Sequence, residues 1–129
     1  MPTTPWKKCA DSDPNRTYVA FLTYLPLKQF RMIPRFLFYT IRVLVQLSKS
    51  DGLGGYSLRA NLFKNNFWTL SVWEDESALR GFAFTGFHKG VMKLLRNDMG
   101  STRFIKWAVQ GTDLPLSWED AMRRFGKSN

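Results

Sequence analysis

One cysteine, Cys9, and one histidine, His88, are all that 129 residues offer of the side chains that most often hold zinc or form disulfides. A lone cysteine cannot close an intramolecular bridge, and its isolation points to a reducing compartment. There is no CxxC and no His-Cys cluster, so a structural zinc site is excluded. The start, MPTTPWKKCADSDPNRT, has no apolar run of the kind a secretory leader needs. The longest apolar stretch, residues 36–47, is broken by Arg42 and is too short to cross a bilayer. The expectation is a soluble, cytoplasmic chain, with peripheral attachment to a membrane left open. GLGGY, at 52–56, lacks the lysine and the strand-then-helix setting of a phosphate loop, and reads as a turn.

What the chain has in quantity is rings and positive charge. Apolar residues make up 44% and aromatic residues 16%, enough for a ring-rich core or a ligand cavity. The length favours one domain, able to bury roughly two-thirds of its unfolded surface without covalent staples. A net charge of +9 invites anionic partners, whether nucleic acid, acidic lipid or an anionic ligand. Nucleic acid ranks lowest, because no recognition motif accompanies the charge and the aromatics fall at core-like spacing. Lys28, Arg31, Arg35, Arg42 and Lys49 instead form a stripe along one segment. It reads as a solvated face with dimer contacts, or as an interfacial helix on acidic lipid.

Residues 1–16 carry several prolines and read as a flexible arm, leaving 17–129 as the folded domain. TYVAFLTY, from Thr17, is rich in β-branched and aromatic residues and predicts a strand ended by Pro26. Helical spacing follows from Gln29 to Ser50, with Phe30, Ile33, Leu37, Ile41 and Leu44 on one face and Pro34 marking a kink or the first turn. Asp51-Gly52 and Gly54-Gly55 stop it. Alternation resumes over residues 56–63 and 67–74, joined by Lys64-Asn65-Asn66, and predicts an antiparallel hairpin. Glu74, Asp75 and Glu76 suit the start of a second helix, with Leu79, Phe82, Phe87, Val91 and Leu94 inward. TRFIKWAVQ, from Thr102, is a fourth strand, and Ser117-Trp118-Glu119-Asp120 opens a short terminal helix.

The order is βαββαβ, an α+β ferredoxin-like arrangement: a four-stranded antiparallel sheet with both helices on one face. One side of the third strand shows Trp68, Leu70 and Val72; the other shows Phe67, Thr69, Ser71 and Trp73, with Phe21 and Thr23 from the first strand. The sheet face left without helices is too apolar for water. The expectation is that a second copy covers it, and that the ring-bearing side encloses a hollow in a homodimeric barrel. Rings mixed with hydroxyls suit a small apolar or aromatic ligand, bulk giving affinity and hydroxyls giving orientation.

The run TLSVWEDESALRGF, the histidine at position 88 and the preceding GYSLRA resemble the dimeric α/β-barrel superfamily. Within it the likeness is to the antibiotic-biosynthesis-monooxygenase-like families, over about residues 17–110. The superfamily holds cofactor-free oxygenases, haem-degrading enzymes, isomerases and proteins without known activity, so fold alone does not decide chemistry. The resemblance implies that His88 stands where the haem-degrading branch has its iron-ligating histidine; it is a metal ligand only if haem is bound. It also implies that Trp73 lies beside a ligand, with a packing ring as the alternative. That branch has an asparagine where this chain has Thr23, a departure that counts against haem degradation of that kind. Read from the residues themselves, Arg59 is a mid-strand guanidinium that needs an anionic partner, from a ligand or from the protein. Thr69 and Ser71 are orienting donors, and Phe21, Phe63 and Trp73 are walls. The expected function is a monooxygenase-like oxygenation of an apolar ligand, cofactor-free or at haem, with Arg59 and His88 as catalytic candidates. The alternative is a non-catalytic hydrophobic-ligand or haem-binding module, possible at acidic membrane surfaces.

Overall fold

The computed structural model describes residues 3–83, 90, 93, 95, 96 and 99–127. Five antiparallel strands form one sheet in the order β1-β3-β4-β2-β5: β1 is Lys7–Lys8, β2 Thr17–Pro26, β3 Leu53–Asn61, β4 Asn66–Trp73 and β5 Arg103–Gln110. Among the described residues the α-helices are α1, Ile33–Ser48, α2, Glu76–Ala83, and α3, Trp118–Lys127. Without β1 and α3 this is the ferredoxin-like βαββαβ order, with β2 and β3 flanking β4.

Local chemistry explains the boundaries. Pro34 sits in the first turn of α1, where a missing N–H costs nothing. Gly52 adopts a left-handed φ of 81° after that helix, and a side chain there would meet the Cβ of Ala78 at 2.5 Å. Asp75 caps α2 by accepting the N–H of Ala78 at 2.8 Å. The Ser117 hydroxyl accepts the N–H of Asp120 at 3.3 Å, opening α3. Strand β3 starts at Leu53, not Tyr56: the two glycines read as stop signals lie inside it, at a register shift between Leu53 and Gly55.

Residues 1–16 were expected as a flexible arm, and here the structure differs. Thr3 bridges to Arg59, Thr4 N–H donates to Leu58 O at 2.9 Å, and Lys7–Lys8 pair with Tyr56 and Gly55. The unpaired edge of β3 recruits this segment as a fifth strand. Gly55 makes it possible, because a Cβ there would strike the Trp6 ring at 2.6 Å.

The larger correction concerns the faces of the sheet. Leu25 and Phe67 pack with Phe36, Leu95 and Met99, while Trp73 and Leu53 pack with Leu47 and Leu79. The ring-bearing side is therefore the side covered by α1 and α2. The opposite side, with Leu22, Trp68 and Leu70, is covered by α3 through Ala121, Trp118, Met122 and Phe125, and by Trp6. Both faces are covered by the chain itself, which removes the open face that was the ground for a sheet-to-sheet homodimer with a hollow between copies. The inward side of α1 is only partly the expected one. Ile33 and Leu44 pack inward as read, and Phe36, Tyr39, Val43 and Leu47 join them, whereas Leu37 and Ile41, and Phe30 just before the helix, are exposed. Among the described residues no helix is long and apolar enough to cross a membrane.

Candidate functional site

Strand parity assigns every β-residue a side, and pairing assigns its neighbours. Thr23 lies directly opposite Thr69, and Phe21 opposite Ser71, in the β2–β4 pair. On the other flank of β2, Phe21 faces Lys106 and Thr23 faces Phe104. All six point to the α1 side of the sheet. They occupy its middle, because the apolar residues of that side fall into two groups at opposite ends. One is built on Leu25, Phe67 and Phe36, the other on Trp73, Leu53 and Leu47. Between them runs a row of hydroxyls, Thr23, Thr69 and Ser71, of which Thr23 and Ser71 are buried.

The row is held by specific contacts. The Trp73 side chain is 1% exposed, and its indole N–H donates to the Ser71 hydroxyl at 2.9 Å. Phe82 of α2 tilts against the Trp73 ring, with centroids 5.4 Å apart. Toward β5 Phe21 and Phe104 lie parallel, 5.9 Å between centroids, and Phe104 is 54% exposed. Lys106, also exposed, pairs with Glu76 at the start of α2. That ammonium holds the Glu76 carboxyl below the ordinary carboxylate range, through a hydrogen bond and then through charge, with Arg80 adding to it. On the α1 side the β5 residues Phe104 and Lys106 are thus exposed, beside buried hydroxyls able to donate or accept.

The sequence-derived candidates separate on this frame. Phe21, Thr23, Thr69, Ser71 and Trp73 are brought together. Arg59 is not: it pairs with Trp68 in register and lies on the α3 side, its guanidinium 5.7 Å from the Trp118 ring centroid. A one-residue change of register exchanges the faces of a strand, and the turn between β3 and β4 fixes the register that puts Leu58, not Arg59, beside Thr69. Phe63 falls in that turn and is 94% exposed, so it walls nothing. His88 lies outside the described residues. Phe104 and Lys106 were missed, though the alternation of RFIKWAVQ already put them on one face. The row itself offers aliphatic hydroxyls and an indole, none of them a haem-iron ligand.

A hollow lies on the opposite side of the sheet. Trp6, Lys8, Ala10, Gly54, Val72 and Pro115 border it, with a volume of about 250 Å³. Also on that side, Trp118 N–H donates to the Ser57 hydroxyl at 2.9 Å, and that hydroxyl donates to Thr4 O at 2.7 Å. These bonds tie the N-terminal segment, β3 and α3 together, and their groups are occupied in holding the fold.

A family model described as a domain of unknown function, DUF3291, matches residues 44–127. No curated protein matches the chain. Among solved structures, SnoaB, a cofactor-independent oxygenase from Streptomyces nogalater, superposes with a TM-score of 0.62 at 17% identity, over 77% of this chain and 98% of that one. A conserved protein from Methanosarcina mazei Go1 gives 0.64 at 15% identity, over 70% and 90%. An uncharacterized ferredoxin-fold protein related to antibiotic biosynthesis monooxygenases, from Listeria monocytogenes 4b F2365, gives 0.57 at 22% identity, over 70% and 54%, so the chain spans about half of that protein. At these identities the likeness shows a shared ferredoxin-like fold.

Proposed function

The chain belongs to the DUF3291 family, and from that footing we propose that it binds a small, flat, apolar ligand on the α1 side of its sheet and oxygenates it without a cofactor. The observation that carries this reading is the hydroxyl row interrupting an otherwise apolar layer, with Trp73 and Phe21 as walls. A layer built only for stability would fill that middle with aliphatic side chains, since buried hydroxyls bring desolvation costs and no packing gain. The name of SnoaB supports the choice of chemistry.

The reaction in view converts an activated methylene and O₂ to a carbonyl and water. Both C–H bonds break, one oxygen atom becomes the carbonyl and the other leaves with the two hydrogens; the four electrons that reduce O₂ come from that carbon. A substrate whose enol form is a phenol ionises readily and supplies the first electron itself. The protein contributes position, exclusion of water and stabilisation of the anion. Thr23 and Thr69 are the donors to its oxygen. Lys106 takes the electrostatic role expected of Arg59, which faces the other way. Haem is not needed for this chemistry.

Anthrone is a suitable probe. Oxygen uptake matched mole for mole by anthraquinone, and lowered at least tenfold in Thr23→Val and Thr69→Val, supports the reading. Turnover no faster than in buffer contradicts it. A second reading, a carrier that holds its ligand unchanged, is favoured by the fact that aliphatic hydroxyls take up no proton at neutral pH. It predicts saturable anthrone binding without oxygen uptake. Hemin titration adds a third arm: a Soret band lost in His88→Ala would replace the cofactor-free reading with a haem one.

A further inference from the structure

The outward side of α1, with Phe30 just before it, is unusually apolar for an exposed surface. Phe30, Leu37, Phe38, Ile41 and Val45 are all large, apolar and more than two-fifths exposed, Ile41 reaching 63%. At 3.6 residues per turn, Leu37, Ile41, Val45 and Phe38 fall within an arc of about 100°. Arg35, Arg42 and Lys49 follow one another at intervals of seven and run along one flank of that arc. Lys28 and Arg31 stand at the head of the helix, and residues 14–50 contain no aspartate or glutamate at all. Arg42 lies over the Phe38 ring at 5.7 Å, so cation and ridge touch. The core-facing residues of α1 are a separate set from this ridge.

From this arrangement we infer that α1 docks the protein on the surface of an anionic lipid bilayer. The ridge enters the headgroup boundary, and the flanking cations meet lipid phosphates and carboxylates. The occupant follows from charge and shape. A second copy would bring five cations against five with no acid between them, and like charges at close range disfavour that pairing. A convex ridge needs no matching groove when its partner is fluid. The contact is independent of the ligand reading, because none of these side chains belongs to the hydroxyl row.

The test is sedimentation of the full chain with sucrose-loaded vesicles of equal phosphatidylserine and phosphatidylcholine, or of phosphatidylcholine alone, at low and high salt. The expected result is pelleting with the mixed vesicles at low salt. Partitioning weakens about tenfold or more on neutral vesicles or in high salt. Ile41→Asp, and separately Leu37→Asp, each weaken it by about tenfold or more. Both positions are exposed, so circular dichroism and thermal midpoint stay at wild-type values, and either variant alone decides. No pelleting at low salt overturns the inference, as does equal binding to neutral vesicles or wild-type binding by both variants. A dimer in equilibrium sedimentation that Ile41→Asp converts to monomer also overturns it, by assigning the ridge to a second copy.

Discussion

Removing one hydroxyl should expose how the row is built. Ser71 accepts the indole N–H of Trp73 at 2.9 Å, and both side chains are buried, Trp73 almost completely. Ser71→Ala deletes the acceptor and leaves an N–H inside an apolar cluster with Leu47, Leu53 and Leu79. The cost of a buried donor left unpaired is about 1–3 kcal/mol, which for a domain of this size lowers the thermal midpoint by roughly 4–12 °C. Trp73→Phe removes the donor but keeps a ring, at a cost of about 2–4 kcal/mol for lost volume and an unpaired hydroxyl. In the double variant neither group is orphaned, so its cost falls short of the sum of the two single-variant costs by about 1 kcal/mol or more. Urea unfolding followed by far-ultraviolet circular dichroism measures this without relying on tryptophan emission, and the denaturant slope should not change. A Ser71→Ala loss within about 0.3 kcal/mol of zero, or additivity within that margin, would refute the hydrogen bond as an organising contact.

Three further outcomes follow from the same structure. Gly52→Ala should destabilise by about 2 kcal/mol or more, because it combines a left-handed backbone with a 2.5 Å approach to Ala78; urea unfolding checks it. Ala121→Glu places a carboxylate at a fully buried point of the α3 face and should cost about 3 kcal/mol or more, read as protease sensitivity of the C-terminal segment. The carboxyls of Glu76 and Asp120 are both held below their ordinary values, by Lys106 and Arg124 respectively, so their ion pairs stabilise the fold above pH 4.5 and 3.8. That contribution is lost as pH falls through the lowered folded-state values, and Lys106→Gln should flatten the acid limb of a stability–pH profile.

Much of the scaffold can be read from alternation and punctuation. TYVAFLTY, the hairpin, RFIKWAVQ and the Ser117 cap all form the elements their residue types favour. What could not be read was handedness in the broad sense of which side faces what. Two sets of apolar residues, Leu37/Ile41 with Phe30 just before α1 and Phe36/Tyr39/Val43/Leu47 within it, both repeat at helical spacing, so periodicity cannot choose between them. Ser57 and Arg59 share a side of β3 by parity alone. Which side of β4 they join is decided by the turn ending at Asn65, whose φ of 57° fixes the pairing of Leu58 with Thr69. The cover on the second sheet face comes from residues 118–127 and Trp6, which are far in sequence from Trp68 and Leu70 of β4 that they cover and carry no local signal of that contact. The hydroxyl row was visible as residues, but its bracketing by two apolar clusters depends on the helix above it.

The claim on which the functional reading rests is that ligand sits between the sheet and α1, at Thr23 and Thr69. Methyl-resolved NMR during an anthrone titration tests it most directly. The account predicts saturable shifts of the Thr23 and Thr69 methyl signals, with the Ala20 and Ala121 methyls on the α3 side unmoved. Shifts confined to Ala20 and Ala121, or saturable binding that leaves both threonines in place, would contradict it.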